Sequence, residues 1–240
     1  MKLLGIETAT NLCGAAVVDE AKILSERSLT TPQIHSEKLV PIIDECLRDA
    51  NCDLSDIDGI AISIGPGSFT GLRIGLSVAK GLSFSSGKPL VSVSTLKAFA
   101  FESHRKKITG NAGSILSLID ARRNEVYAAL YDITSGGLNE LISPAAFTLE
   151  QIFELSSDGK TVFVAGDETG KFKKFVEKVE SKQASAYIIP FPGLSGASAV
   201  GVALLGIEKL KRGEDEKIDL LEPLYVKEFY TIVQQPKVKS

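Results

Sequence analysis

The chain has 240 residues, of which 44% are hydrophobic and 24% are charged, and its formal net charge is −3 at pH 7. This composition is typical of a globular protein and excludes a disordered, collagen-like or coiled-coil chain. Because proteins that bind nucleic acid draw most of their affinity from cationic contacts with phosphates, we do not expect tight, unaided binding of RNA or DNA.

The chain carries three cysteines, Cys13, Cys46 and Cys52, with no CxxC pair among them. An odd number at these spacings fits neither a zinc site nor a disulfide framework, so we expect no metal site and a reducing, cytoplasmic location. Glu7 interrupts the first apolar stretch, which does not fit a signal peptide. No window approaches the roughly 18 uncharged apolar residues that a membrane span needs.

The first half of the chain is predicted to contain three strands, followed by helices that alternate with two further strands. Short apolar runs bounded by polar turns indicate the strands, and apolar residues at helical spacing indicate the helices. The predicted strands cover 3–6, 13–18, 22–29, 59–64 and 90–93, and the predicted helices cover 36–50, 72–84 and 96–104. Pro41 predicts that the first helix is kinked there or that its regular part begins near it.

The same order of elements returns in the second half. Glu7 to Asp19 and Asp120 to Asp132 both span 12 residues, and helices are predicted over 149–155, 171–179 and 197–210, with strands over 161–165 and 187–189. The order βββαβαβα is therefore predicted twice, as two α/β lobes with helices on mixed sheets. We expect the lobes over 1–109 and 110–226, joined near 108–113 with a ligand cleft between them, and a polar tail over 227–240.

A glycine-rich loop, Gly65-Pro66-Gly67-Ser68-Phe69-Thr70-Gly71, lies between a predicted strand and a predicted helix. A dinucleotide fingerprint is one interpretation, but the spacing is GxGxxxG and no acidic residue ends the next strand. A P-loop is excluded because no Gly-Lys-Ser/Thr follows. The interpretation that we favour is structural: the glycines let the strand turn sharply and let the helix pack closely.

The helix that follows this loop has apolar residues around its whole circumference, and Arg73 and Lys80 are its only charged residues. Gly71, Gly75 and Ala79 form a ridge of small residues at i, i+4 and i+8. A helix that is apolar on all sides is buried on all sides. We therefore expect that one side packs on a sheet, and that the other side is covered by a further element of this chain or by a partner.

Catalytic constellations are missing from the sequence. His35 is followed four residues later by Leu39, where a metal-binding helix would carry a second histidine, and there is no GxSxG nucleophile elbow. We predict no catalytic residue and no metal site. Thr8, Thr10 and Asp120, together with Gly166 at a strand end, are candidates to contact phosphate or Mg²⁺, although turn chemistry is the interpretation that we favour for the first three.

Five segments of the chain resemble the bacterial TsaB (YeaZ) family, and the resemblance spans nearly the whole chain. The segments are Leu-Gly-Ile-Glu-Thr-Ala-Thr (4–10), His-Ser-Glu-Lys-Leu (35–39), Gly-Pro-Gly-Ser-Phe-Thr-Gly-Leu-Arg (65–73), Asp-Ala-Arg-Arg-Asn-Glu-Val-Tyr (120–127) and Pro-Leu-Tyr-Val (223–226). The resemblance implies a duplicated actin/Hsp70-like (ASKHA) fold, in agreement with the repeated order of elements. It also implies a part in forming N6-threonylcarbamoyladenosine at position 37 of tRNAs that read codons beginning with adenine.

The resemblance further implies a non-catalytic scaffold subunit. The catalytic relative TsaD carries a His-x-x-x-His metal pair on its first helix, and here that pair is His35 and Leu39. The implied partners are a TsaD-like catalytic subunit, a TsaE-like ATPase, a second copy of the chain in isolation, and tRNA only through the complex. The family uses its first two helices as the interface. The residues carried over are His35, Leu39, Ile43, Cys46, Leu72, Gly75, Leu76 and Ala79.

The alternative hypothesis is a stand-alone ATP-dependent phosphotransferase or ATPase of the actin-like fold, with Thr8, Thr10 and Asp120 around Mg-ATP. Under the scaffold hypothesis the isolated chain needs no cofactor, and any ATP or ADP is expected in the assembled complex. Binding and turnover of ATP by the isolated chain, lost in Asp120→Ala, would favour the alternative.

Overall fold

A computed structural model gives the arrangement of the chain and describes residues 1–20, 22–31, 33–106, 113–122, 125–135, 137–155, 162–166, 170–172, 174–175, 188–190 and 198–226. The strands are β1 (Lys2–Glu7), β2 (Leu12–Asp19), β3 (Lys22–Thr30), β4 (Gly59–Gly65), β5 (Leu90–Ser94), β6 (Ser114–Asp120), β7 (Glu125–Thr134), β8 (Gly137–Thr148), β9 (Val162–Gly166) and β10 (Ile188–Pro190). The helices are α1 (His35–Asp49), α2 (Phe69–Ser86), α3 (Thr95–Arg105), α4 (Leu149–Leu155) and α5 (Ala199–Lys211). Among the described helices, none combines the length and the hydropathy that crossing a membrane requires.

The two halves build two five-stranded sheets of the same topology. The strand orders are β3-β2-β1-β4-β5 and β8-β7-β6-β9-β10. In both sheets the first three strands in the chain are antiparallel neighbours, and the next two strands add in parallel. This confirms the predicted α/β fold, a duplicated actin-like arrangement.

Several boundaries differ from those predicted, for local reasons. α2 begins at Phe69 rather than at 72, because the Ser68 side chain caps the helix by accepting a hydrogen bond from Gly71 N at 3.2 Å. α1 runs continuously through Pro41, whose position faces solvent, so that water can satisfy the carbonyl that loses its helical donor. The predicted junction over 108–113 falls almost wholly outside the described residues, as does most of the helix predicted over 171–179.

The two sheets share one hydrophobic core, in which α3 and α5 lie between them. α5 packs closely on the first sheet: a Cβ atom on Gly5 of β1 would lie only 2.2 Å from the carbonyl oxygen of Ala199. After α5 the chain stays on the first sheet, where Glu216 N donates to Leu90 O at 3.0 Å and Leu224 N donates to Ile64 O at 2.7 Å. Residues 198–226 therefore complete the packing of the first sheet, although the sequence places them in the second half.

Glu102 on α3 is a carboxylate in this shared core, with its side chain only 2% exposed. Arg105 Nη2 donates to it at 2.7 Å, and Lys106 Nζ lies 3.2 Å away. Burial alone would raise the pKa of Glu102, but the hydrogen bond and charge of Arg105, helped by Lys106, outweigh it and hold that pKa below its ordinary value.

We expect Glu102→Gln to reduce the free energy of unfolding near neutral pH by about 1–3 kcal/mol, because the charge-assisted hydrogen bonds are lost. A folded-state pKa below the unfolded value adds stability above the unfolded pKa, and this stability disappears as the pH falls through the folded pKa. The gap in the free energy of unfolding between wild type and variant should therefore close in acid. Urea unfolding near neutral pH and near pH 3 would measure this gap. A gap of equal size at both pH values would contradict the assignment.

Candidate functional site

α2 has one face inside the subunit and another that is largely exposed. The buried face consists of Gly71, Leu72, Gly75, Leu76, Ala79 and Ser83. On the opposite side Ser77, Gly81 and Phe84 are exposed, and the Phe84 side chain is 83% exposed. A bulky aromatic residue so exposed on an apolar helix is typical of an interaction surface. Other elements of this chain cover part of the side away from the sheet, since α1 packs beside α2. Within the described residues the strip with Ser77, Gly81 and Phe84 stays exposed, so the alternative of cover by a partner remains a prediction for that strip.

The ridge of small residues belongs to the inner face of α2, where it packs on the turn between β1 and β2. A Cβ atom on Gly71 would lie 2.1 Å from the carbonyl oxygen of Thr8, and one on Gly75 would lie 2.1 Å from Thr8 Oγ1. By contrast, a Cβ atom on Gly81 would meet nothing within 4 Å. The ridge therefore lets α2 approach its own sheet, and it is not available to a partner.

The eight interface residues carried over from the family resemblance all lie on inward faces, so this choice of residues requires a correction. His35, Leu39, Ile43, Cys46, Leu72, Gly75, Leu76 and Ala79 are buried within the subunit. His35 Nε2 lies 3.3 Å from Leu12 O, for example, and the Cys46 carbonyl accepts a hydrogen bond from the Ser25 hydroxyl at 2.7 Å. These side chains hold α1 and α2 on their own sheet, because an apolar stripe at helical spacing packs on the core.

The outward side of α1 carries different residues. Val40 is 59% exposed and Pro41 is also exposed, flanked by Asp44, Glu45 and Arg48. α1 packs beside α2. The exposed outward residues of these two neighbouring helices are here called the α1/α2 surface: Val40, Pro41, Asp44, Glu45 and Arg48 of α1, and Ser77, Gly81 and Phe84 of α2.

The four candidates for phosphate or Mg²⁺ contact are divided between the two sheets. Thr8 and Thr10 are buried beneath α2 and the loop before it, where Ser68 N donates to Ala9 O at 2.6 Å. The hydroxyl of Thr10 accepts from Leu12 N at 3.2 Å. A contact with phosphate requires exposed donors, so the structure does not support that role for either threonine; the turn-chemistry interpretation fits Thr10.

Asp120 and Gly166 lie at one end of the second sheet, on the paired strands β6 and β9. Asp120 is exposed, and its Oδ1 accepts from Arg122 N at 3.1 Å and from Lys171 Nζ at 3.2 Å. Gly166 has a φ of +126°, and a Cβ atom there would lie 1.9 Å from Leu118 O. Gly166 therefore permits the close approach of β9 to β6, which explains this glycine without a ligand.

The cysteines are not activated as nucleophiles. Burial, with a smaller effect of the nearby Glu7 carboxylate, raises the pKa of Cys13 to about 11. Burial also raises the pKa of Cys46 and of Cys52. Because the thiolate is the reactive form, these thiols are poor nucleophiles at neutral pH. Within the described ranges, no group of three or more His, Cys, Asp and Glu side chains is placed to hold a metal ion.

Two of the sequence motifs meet at the start of α2. The Arg73 guanidinium carbon lies 3.7 Å from the centre of the Phe69 ring, and Arg73 Nε donates to the Tyr225 hydroxyl at 2.9 Å. The Phe69 and Tyr225 rings are themselves 5.5 Å apart between centres. This cluster fixes residues 216–226, here called the C-terminal strap, against α2.

A groove of about 410 Å³ runs between α2 and the C-terminal strap. The polar part of its lining comes from Arg73, Ser77 and Lys80 on one side and from Glu222 and Tyr225 on the other. Arg73, Ser77, Lys80 and Phe84 follow one another at spacings of three or four residues, so the groove opens on the same helix face as the exposed Phe84.

Comparison with known proteins places the chain in a family. The family model described as "TsaD: tRNA N6-adenosine threonylcarbamoyltransferase" matches residues 23–210. The chain is 34% identical over 167 residues to the "tRNA threonylcarbamoyladenosine biosynthesis protein TsaB" of Escherichia coli, covering 68% of this chain and 71% of that protein. The protein of the same name from Bacillus subtilis is 30% identical over 180 residues, covering 75% of this chain and 76% of that protein.

A solved structure agrees with these sequence relatives. The structure described as "YeaZ from Pseudomonas aeruginosa" superposes with a TM-score of 0.76 at 30% identity, covering 93% of this chain and 99% of that chain. Sequence similarity and shared fold therefore extend over most of both proteins. The chain belongs to the TsaB (YeaZ) family, whose named members are tRNA threonylcarbamoyladenosine biosynthesis proteins.

Proposed function

We propose that this chain is an accessory, non-catalytic subunit in the formation of N6-threonylcarbamoyladenosine at position 37 of tRNAs that read codons beginning with adenine. It pairs with a TsaD-type catalytic subunit and supports that subunit in an assembly that includes a TsaE-type ATPase. The names of the relatives support the pathway. The observation that carries the pairing is the exposed α1/α2 surface.

The α1/α2 surface exposes two large apolar side chains that a partner would bury. Phe84 and Val40 are 83% and 59% exposed, an unfavourable state for side chains of this size. Ser77 and Gly81 beside Phe84 are small, and the space above Gly81 is open, so a partner helix can come close to α2. A second copy of the chain can use the same surface, and we expect it to do so when the catalytic partner is absent.

The side chains at positions that could carry out catalysis support the proposal of a non-catalytic subunit. Leu39 occupies the position of the second histidine in the His-x-x-x-His pair, and it is buried in the core under α1. The thiols have raised pKa values. The net charge of −3 favours contact with tRNA through the complex rather than by this chain alone. Pairing through the exposed apolar side chains of the α1/α2 surface requires no cofactor in the isolated chain.

Reconstitution tests the proposal. The TsaD-type and TsaE-type proteins of the same organism are incubated with threonylcarbamoyl-AMP and tRNA, with and without this chain, and modified adenosine is quantified by mass spectrometry. We expect the chain to increase the initial rate at least about tenfold, a transition-state gain of about 1.4 kcal/mol. Equal rates with and without the chain, or ATP turnover by the chain alone that is lost in Asp120→Ala, would contradict the proposal.

A further inference from the structure

We propose that the groove between α2 and the C-terminal strap receives a carboxylate side chain of the protein partner, held between Lys80 and Arg73. This inference rests on the proposed function, because it specifies the chemistry of the partner at the same surface. It adds a charged anchor to the apolar contacts that Val40 and Phe84 offer.

The charges on the groove lining favour an anion. α2 contains Arg73 and Lys80 and no acidic residue between Phe69 and Ser86. Lys80 is half-buried in the lining, and no described residue forms an ion pair or hydrogen bond with it. An ammonium group that has no counter-charge among the described residues can form a new charge-assisted hydrogen bond without breaking an existing ion pair, so an incoming carboxylate would be stabilised there.

The Arg73 guanidinium is already held in place for binding. It stacks on Phe69 at 3.7 Å, and its Nε is fixed by Tyr225 at 2.9 Å. Among the described residues nothing accepts from its Nη atoms, which remain able to donate to a ligand. An arginine that is ordered before binding loses little conformational entropy on binding, and arginine and tyrosine are enriched among the residues that dominate interface energy.

The size of the charge favours a side-chain carboxylate over a phosphate group. Glu222 also lines the groove, so the lining has two cations and one anion. A singly charged carboxylate balances that sum, whereas a nucleotide phosphate carries two or more charges, exceeds it and is repelled more strongly by Glu222. The groove shares its helix face with Phe84, so an acidic residue on a helix that packs over Phe84 would be within reach of Lys80.

The test measures the dissociation constant of the complex between the full chain and its TsaD-type partner, by calorimetry at low and high NaCl. We expect Lys80→Met to weaken binding about tenfold at low salt and to reduce the salt dependence. Glu222→Gln should tighten binding two- to fivefold, because it removes a charge that opposes the carboxylate. Lys22→Met, on the far edge strand β3, is the matched control and should leave the dissociation constant unchanged.

The outcomes separate the two proposals. If the wild type binds the partner but Lys80→Met and Glu222→Gln bind equally well, the carboxylate anchor is wrong and the pairing stands. If the wild type does not bind at all, the proposed function fails and the anchor fails with it. If inorganic phosphate or ATP binds the isolated chain and Lys80→Met abolishes that binding without changing the affinity for the partner, the groove is a phosphate site and the inference is overturned.

Discussion

Gly75→Leu is expected to destabilise the folded chain by about 3 kcal/mol or more, even though it adds a good helix former to the middle of α2. A Cβ atom at this position would lie 2.1 Å from Thr8 Oγ1 and 3.2 Å from Ile62 Cδ1, so the larger side chain has no space. To admit it, α2 must move away from the turn between β1 and β2. Differential scanning calorimetry should show a melting temperature lower by about 6–12 °C, or no cooperative transition.

Gly81→Leu is the matched control, since it makes the same change six residues later on the same helix. A Cβ atom on Gly81 meets nothing within 4 Å, and replacing a glycine inside a helix relieves a cost of about 0.5–1 kcal/mol. We therefore expect Gly81→Leu to keep or slightly raise the melting temperature. Equal melting temperatures for the two variants would show that the packing of α2 on Thr8 is not as described.

The comparison also decides which substitutions can test docking. A bulky residue at Gly75 would weaken pairing by disturbing the fold, so lost pairing in that variant says nothing about the surface. A bulky residue at Gly81 changes only the outer side of α2. Tests of docking therefore have to use exposed positions such as Gly81, Phe84 and Val40.

The fold could be predicted well from the sequence because its signals are local. Short apolar runs bounded by polar turns mark β1 and β2, and the equal spacing from Glu7 to Asp19 and from Asp120 to Asp132 indicates the repeat. In the structure the first two strands of each sheet pair in the same way. Lys2 of β1 lies opposite Asp19 of β2, and Ser114 of β6 lies opposite Asp132 of β7. The packing of α5 on the first sheet was not predictable, since nothing in its own pattern says which sheet it covers.

The candidate site could be predicted only in part. The sequence shows that α2 is apolar all round, but for that reason its periodicity does not tell the inner face from the outer one. The family resemblance places Gly75 and Ala79 at the interface with a partner, whereas the structure places Gly75 against Thr8. The contact between Arg73 and Tyr225 joins residues 152 positions apart in the chain, and no spacing rule connects residues so distant in sequence.

Val40→Glu combined with Phe84→Glu is expected to leave the subunit folded and to prevent its pairing with the catalytic partner. Both side chains are mostly solvent-exposed, so the stability of the isolated chain should change by no more than about 0.5 kcal/mol. At an interface each change buries an unpaired carboxylate and removes an apolar contact. Losing two anchors of this kind should raise the dissociation constant about 100-fold or more.

Size-exclusion chromatography and calorimetry with the TsaD-type partner would measure this loss, and the rate of tRNA modification should fall to the level seen without the chain. Leu141→Glu is the control, because Leu141 is a similarly exposed leucine, at 49%, on β8 of the second sheet. It makes the same kind of change, an exposed apolar side chain to glutamate, once and outside the α1/α2 surface, and should leave pairing intact. If Leu141→Glu abolished pairing while the double variant paired normally, the partner would dock on the second sheet. The exposed apolar residues on the outer faces of α1 and α2 would then need another explanation.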